Sequence, residues 1–301
     1  MAAKAYLLLT LTMLFWGGNV IAGKLAVGHI SPAVLSGGRW VLALAVLLPF
    51  AWPHLRREWP VIRPHLPFLL LMGIIGFALF NNLYYLALNH TSAINAAIEQ
   101  ASMPVLVFAA NFLLFGQRVS AGQIIGFFVS ILGVSLVATN GNLTDLLRLN
   151  VGYGDAILLL AIAFYGAFTV MLRWMPTLHW LSMITVLAVG ALIGCIPFVW
   201  VEVGSGHHVL PDLQGWLVLV YAAIFPSIVS QVSYIRGVAL IGANRGGLFI
   251  NLVPIFGTFF AVTLLGEQLR IHHMVGLVLV LGGIALAERK PTSETRPGTG
   301  A

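Results

Sequence analysis

Glu99 stands inside the apolar stretch SAINAAIEQASMPVLVF, residues 92–108, and Arg39 stands inside another, residues 32–50. An isolated charge at the centre of a membrane helix costs about 2.5–3.5 kcal/mol even on insertion scales, so each needs a partner or a task. At about 1.5 Å of rise per residue, Glu99 lies roughly 10 Å beyond Ser92, and Arg39 equally far beyond Pro32. The two charges are therefore expected at similar depth, paired directly or through water. Facing a cavity, they could meet the ammonium and carboxylate of a zwitterion. A purely structural salt bridge, or two separately hydrogen-bonded charges, are the alternatives.

Other polar side chains share helical faces with these charges. Ser92, Asn95, Glu99 and Ser102 are spaced three, four and three apart, which puts them on one face. Asn81, Tyr84 and Tyr85 fall within one turn. Gln231 and Tyr234 hold the corresponding places later in the chain, where Ser227 extends the stripe. Trp16 and Asn19 lie on a face with Thr12 and Gly23, and Tyr165 with Thr169. Together these residues describe a cavity with aromatic walls and neutral hydrogen-bonding groups, suited to small amphipathic solutes. The expected substrate-binding set is Trp16, Asn19, Arg39, Asn81, Tyr84, Tyr85, Glu99, Ser102, Tyr165, Gln231 and Tyr234. The competing reading is that such residues glue helices together without touching a solute.

Metal and nucleotide chemistry find no support in the spacing. His207–His208 and His272–His273 are adjacent pairs, and adjacent helical residues point in different directions. They read as loop or interface histidines. No phosphate-binding loop is present, so ATP-driven transport by this chain alone is not expected. No cofactor and no metal are expected, and Cys195, the single cysteine, reads as packing.

The elements that would position these residues follow from composition. Of 301 residues, 59% are hydrophobic and 8% charged, against about a quarter charged in soluble domains. So few charges cannot cover a soluble surface of this size. The net charge of +6 comes from basic residues at the ends of apolar runs, which points to membrane topology and away from nucleic acid. The expectation is an all-α integral membrane protein in a lipid bilayer. Ten runs are long enough to cross, near residues 5–27, 32–50, 67–88, 92–115, 120–139, 152–173, 179–201, 213–236, 243–265 and 270–288. The first follows Lys4 and is too long for a signal core. Placing both termini in the cytoplasm puts Arg56, Arg57, Arg63, Arg118, Arg173 and Arg236 on that side, in keeping with the positive-inside rule.

The halves match at a shift of about 150 residues. Tyr84 aligns with Tyr234, Ala93 with Ala243, Pro104 with Pro254, Gly116 with Gly266, Gly126 with Gly276 and Gly133 with Gly283. FGQRVSAGQIIGFFVSILGVSL parallels LGEQLRIHHMVGLVLVLGGIAL, and FWGGNVIAGK parallels FYGAFTVMLR. Five spans per half is an odd number, so the second copy must run upside down. The charges agree: residues 51–66 carry Arg56, Arg57 and Arg63, while 202–212 contain no lysine or arginine. Inverted repeats are a mark of secondary transporters, whose sites lie near the midplane. The expected plan is two inverted five-helix repeats, residues 1–140 and 141–290, and a disordered cytoplasmic tail, 291–301. Pro104 and Pro254 sit at equivalent places within spans four and nine. Each would leave a carbonyl, at Gln100 and Ile250, without its helical donor; a hinge or a static kink would result.

With ten spans in two repeats, FWGGN at 15–19, GYGDAILLLAIAFYGAF at 152–168 and the paired GQ and GE blocks closing each half, residues 5–288 resemble the EamA-type transporters of the drug/metabolite transporter superfamily. The resemblance implies a metabolite exporter of a bacterial inner membrane, and its YddG-type members export amino acids. Gln117 stands where the second half has Glu267, so Glu267 is read as a loop-end residue. The expected function is secondary export of amino acids or similar small metabolites by alternating access, not an enzymatic reaction. A nucleotide-sugar or sugar-phosphate carrier would call for several buried cations, and a lipid-modifying enzyme for a clustered acid, base or metal. Neither pattern is found.

Overall fold

The computed structural model describes residues 2–103, 106–107, 110, 113, 116, 121–142, 152–206, 208–241 and 249–288. Pro104, Gln117, His207 and the tail after 290 lie outside the described residues. Among those described, all regular structure is helical. The helices are α1 (Ala2–Leu25), α2 (Pro32–Gly73), α3 (Phe80–Leu88), α4 (Ala93–Gln100), α5 (Ala121–Ala138), α6 (Tyr153–Met171), α7 (Trp180–Gly204), α8 (Leu213–Ile224), α9 (Ser230–Ile241), α10 (Leu252–Leu265) and α11 (Ile271–Glu288). A π-helical turn, Ile74–Leu79, joins α2 to α3, and another, Phe225–Val229, joins α8 to α9. Six helical stretches are long and apolar enough to cross a membrane, with shorter apolar helices at Phe249–Leu265 and Ile271–Leu286. Large apolar side chains such as Trp200, Leu213, Ile271 and Val278 stand exposed on the outside. Lipid, not water, suits that surface, and the protein is a multi-pass membrane protein.

Residues 51–66, expected as a loop, are helical. Backbone hydrogen bonding continues through them, yet the chain reverses direction there. Trp40 stacks on Phe77 with ring centroids 4.8 Å apart, whereas a straight helix would separate them by about 55 Å. Five prolines inside α2 (Pro49, Pro53, Pro60, Pro64 and Pro67) each remove a backbone donor and bend the axis. The product is a helical hairpin with two antiparallel arms and a tip bearing Arg56, Arg57 and Arg63, all exposed.

Both arms pack on α7 around Trp40, Leu44, Met72, Phe77, Leu187 and Cys195. Glycines set that contact: a Cβ on Gly190 would run into the Leu70 carbonyl, so the backbones touch. The α5–α11 seam uses the same device twice. A Cβ on Gly133 would meet the Gly276 carbonyl at 2.8 Å, and one on Gly283 the Gly126 carbonyl at 2.5 Å. Small residues allow such approach in lipid. Gly133 opposing Gly276 while Gly126 opposes Gly283 makes the two helices antiparallel. The remaining pairings also recur under the 150-residue shift: α1 packs on α9 and α10, as α6 packs on α3 and α4.

Carboxylates from distant parts of the chain, one in a loop and one near the end of α7, satisfy helix starts. Glu267 accepts from the N–H groups of Ala93 at 2.7 Å and Ile94 at 3.0 Å, at the start of α4. Glu202 accepts from Ala33 and Val34 at the start of α2. Carboxylates are favoured there by the unpaired N–H groups and the helix dipole. Glu267 is thus a loop residue, as expected, with a defined capping role. Lys24 serves the opposite end, donating to the Leu88 carbonyl at 2.8 Å and the Thr91 carbonyl at 2.7 Å, where α3 closes.

Span four is not one continuous helix. Beyond Gln100 the chain tightens: the Ala101 N–H donates to the Ile98 carbonyl and that of Ser102 to the Glu99 carbonyl. The counterpart region holds a 3₁₀ turn, Phe249–Asn251, from which α10 begins. Pro254 lies in the first turn of α10, where its missing N–H costs no intrahelical bond. It helps start a helix and does not kink the interior of one.

Candidate substrate cavity

A cavity of about 460 Å³ opens among α1, the α2–α3 hairpin, the break after α4, α6, the α8–α9 junction and α10. Seven of the expected residues line it: Trp16, Asn19, Arg39, Asn81, Tyr165, Gln231 and Tyr234. Seven aromatic side chains stand among its lining residues. Trp16 sits 5.6 Å from Tyr234, and Tyr165 sits 4.9 Å from Phe80, centroid to centroid.

Arg39 is its only charged side chain among the described lining residues. The Nε atom donates to Ser227 Oγ at 2.5 Å, and Nη1 donates to Asn81 Oδ1 at 2.8 Å and to the Tyr85 hydroxyl at 2.7 Å. The Tyr85 hydroxyl in turn donates a hydrogen bond to Asn19 Oδ1 at 3.1 Å. The guanidinium also lies against the Trp40 ring, 5.2 Å from its centroid. Both π turns serve this arrangement. One precedes Asn81, whose Nδ2 donates to the Phe77 carbonyl at 2.6 Å, and the other contains Ser227, whose hydroxyl donates to the Ala222 carbonyl at 2.7 Å. A π turn inserts an extra residue and rotates the helix beyond it, a device common at functional sites. Nη2 has no hydrogen-bond partner among the described residues, so two donors of a fixed guanidinium remain for a solute.

The expected Arg39–Glu99 pair is not formed. All of Arg39's hydrogen-bond partners are neutral, and Glu99 lies against Asp155 of α6. Equal depth fixes height along the membrane normal but not the direction in which a side chain points. Glu99 is fully buried off the cavity wall, and Ser102 turns its hydroxyl back to the Glu99 carbonyl at 2.6 Å. Tyr84 is buried beside the cavity with no partner for its hydroxyl among the described residues, and Tyr85 stands behind Arg39. The polar stripe of span four therefore does not face the cavity. Gln100, one residue on, does; its Oε1 is buried and has no hydrogen-bond partner among the described residues. Trp40, Phe77, Phe80 and Phe168 also line the cavity and are absent from the expected set, since apolar lining looks like packing in a sequence. Cys195 is buried between Ser36 and Asn82, 3.4 Å and 3.3 Å away. Among the described residues no cluster of metal-ligating side chains forms.

A profile described as the EamA-like transporter family matches residues 3–139 and again 152–288. The chain belongs to the EamA-like transporter family. This EamA-family chain is 24% identical over 282 residues to the uncharacterized transporter YetK of Bacillus subtilis, covering 93% of this chain and 85% of that one. It is 27% identical over 299 residues to an uncharacterized transporter of Archaeoglobus fulgidus, with 96% and 99% covered. A protein of Salmonella typhimurium named a probable amino-acid metabolite efflux pump is 26% identical over 299 residues, with 94% of each chain covered. A solved crystal structure superposes with a TM-score of 0.62 over 95% of this chain and 97% of that one, at 18% identity, a likeness of fold.

Proposed function

We propose that this EamA-family transporter is a secondary exporter of amino acids or similar small carboxylated metabolites across a bacterial inner membrane. It works by alternating access of two inverted five-helix repeats, residues 1–140 and 141–290, with both termini cytoplasmic. The observation that carries this reading is Arg39: a guanidinium held through three hydrogen bonds to neutral groups, with Nη2 unpartnered among the described residues, in a cavity with aromatic lining. Arginine presents paired donors suited to a carboxylate. The ammonium of a zwitterion is met by aromatic faces and by Gln100 Oε1, while the walls of Trp16, Phe80, Tyr165 and Tyr234 take the side chain. The Salmonella relative's name supports the same solute class. A sugar-phosphate or nucleotide-sugar would need more positive charge than Arg39 alone supplies. The antiparallel α5–α11 seam and the recurring helix pairings support inversion, and the breaks after Gln100 and before Leu252 suit gating near the midplane.

The test is competition in proteoliposomes against labelled phenylalanine, using phenethylamine, which lacks the carboxylate, and phenylpropionate, which lacks the ammonium. Phenylpropionate should compete measurably and phenethylamine should not. Equal competition by the amine would remove the carboxylate site at Arg39.

A further inference from the structure

We propose that Glu99 and Asp155 form a proton-binding pair that couples transport through the aromatic cavity to a proton gradient. This goes beyond the export reading and rests on it. Glu99 is wholly buried, and neither carboxyl oxygen has a hydrogen-bond partner of ordinary geometry among the described residues. A carboxylate cannot be left ionised and unpaired in such a place; it takes a proton or a partner. The ionisable side chain that acts on it is Asp155, also a carboxyl, which Asn95, one turn earlier on α4, holds at 3.3 Å. Two carboxyls in contact cannot both carry full charge, so the pair is built to hold a proton between them. Asp155 is already arranged as the acceptor, since Oδ1 takes hydrogen bonds from Thr91 Oγ1 and from Asn95 Nδ2 at 3.3 Å.

Position gives the pair its use. Asp155 and Asn95 line a separate polar pocket of about 640 Å³ with Lys24, His90, Glu267, Arg270 and His273. Gln100 and Ala101, the residues directly after Glu99, line the aromatic cavity. Glu99 thus stands between a polar pocket and the aromatic cavity, at the last turn of α4 before its helix breaks. Of the elements packed on α4, α6 supplies Asp155, α1 supplies Lys24, α11 supplies His272 and His273, and α5 and α10 carry no Asp, Glu, Lys, Arg or His. Lys24 is occupied by the Leu88 and Thr91 carbonyls, and Glu267 by the α4 N–H groups. The proton-bearing role falls to Glu99 and Asp155.

In the step proposed, a hydronium ion in the polar pocket gives up one proton: its O–H bond breaks, leaving water, and an O–H bond forms on Asp155 while Glu99 keeps its own, so the pair becomes neutral. When the opposite face opens at the break beyond Gln100, one carboxyl O–H bond breaks, the proton forms an O–H bond on a water there, and the pair returns to a single negative charge.

The test uses purified full-length protein in proteoliposomes with labelled phenylalanine, an internal pH-sensitive dye and the membrane potential clamped at zero. One proton exchanged per substrate should give up to roughly tenfold phenylalanine accumulation per unit of imposed pH gradient in the wild type. Glu99→Gln and Asp155→Asn should each abolish that dependence and the coupled dye signal, whatever residual exchange they retain. Infrared difference spectra should show a protonated carboxyl at neutral pH that Glu99→Gln removes, which reports the site without any substrate. Wild-type exchange indifferent to the gradient, or gradient-driven accumulation surviving in monodisperse Glu99→Gln, overturns proton coupling alone. Absence of phenylalanine exchange in the wild type overturns the export reading and this one with it.

Discussion

Arg39 and Glu99 are both buried charges in apolar surroundings, and their environments are opposite. Arg39 is surrounded by neutral acceptors from two helical segments, α3 and the α8–α9 turn, and keeps one amino group without a partner among the described residues, toward a cavity. Glu99 has no hydrogen-bond partner of ordinary geometry among the described residues and one acidic neighbour. The fixed positive charge is held in a network of neutral groups. On the proposal of a proton-binding pair, the carboxyl short of partners keeps its proton while its acidic neighbour exchanges one. The difference lies in what surrounds each group more than in the group itself.

The sharpest way to break this contrast is Arg39→Met. It removes the fixed charge and leaves Ser227, Asn81 and Tyr85 without their donor, so export should fall by about 100-fold or more; charged hydrogen bonds are worth about 1.5–3 kcal/mol each. Transport assays on protein normalised for membrane abundance would measure it, and near-normal export would detach Arg39 from the mechanism. Next in size is the seam. Gly283→Leu forces a side chain against the Gly126 carbonyl and should cost about 1–3 kcal/mol, read as a drop in the thermal midpoint of the detergent-solubilised protein. Glu267→Ala removes the α4 cap and should cost about 1 kcal/mol in the same melt, with Glu267→Gln recovering part of it. The finest distinction lies between two neighbouring tyrosines. Tyr85→Phe breaks the links to Arg39 and Asn19 and should weaken both export and stability. Tyr84→Phe removes a hydroxyl with no described partner and should change either by no more than about 0.5 kcal/mol. Equal effects from the two would mean that the Arg39 network does not confer the function argued for it.

The polar members of the cavity are legible in the sequence because Arg39, Asn81 and Gln231 interrupt apolar runs, and because Asn81 and Gln231 recur at the 150-residue shift. Their grouping is less legible. Depth can be counted along spans two and four, but the azimuth of a side chain depends on helix rotation. The π turns at 74–79 and 225–229 add a residue with no sequence mark, and so change that rotation. Asp155 lies in the GYGD motif, which by itself assigns it no role, because its meaning comes from Glu99, 56 positions earlier in the sequence. The helical reversal at 51–66 is obscured by its prolines, which ordinarily speak for a loop.

That hairpin also constrains how the protein can be made. Its tip carries Arg56, Arg57 and Arg63, and drawing three arginines through hydrocarbon would cost on the order of 8–10 kcal/mol on insertion scales. On the proposed orientation the tip stays on the side where the ribosome delivers it. The two arms would then enter the bilayer as a pair, with the groove that receives α7 formed before α7 is synthesised.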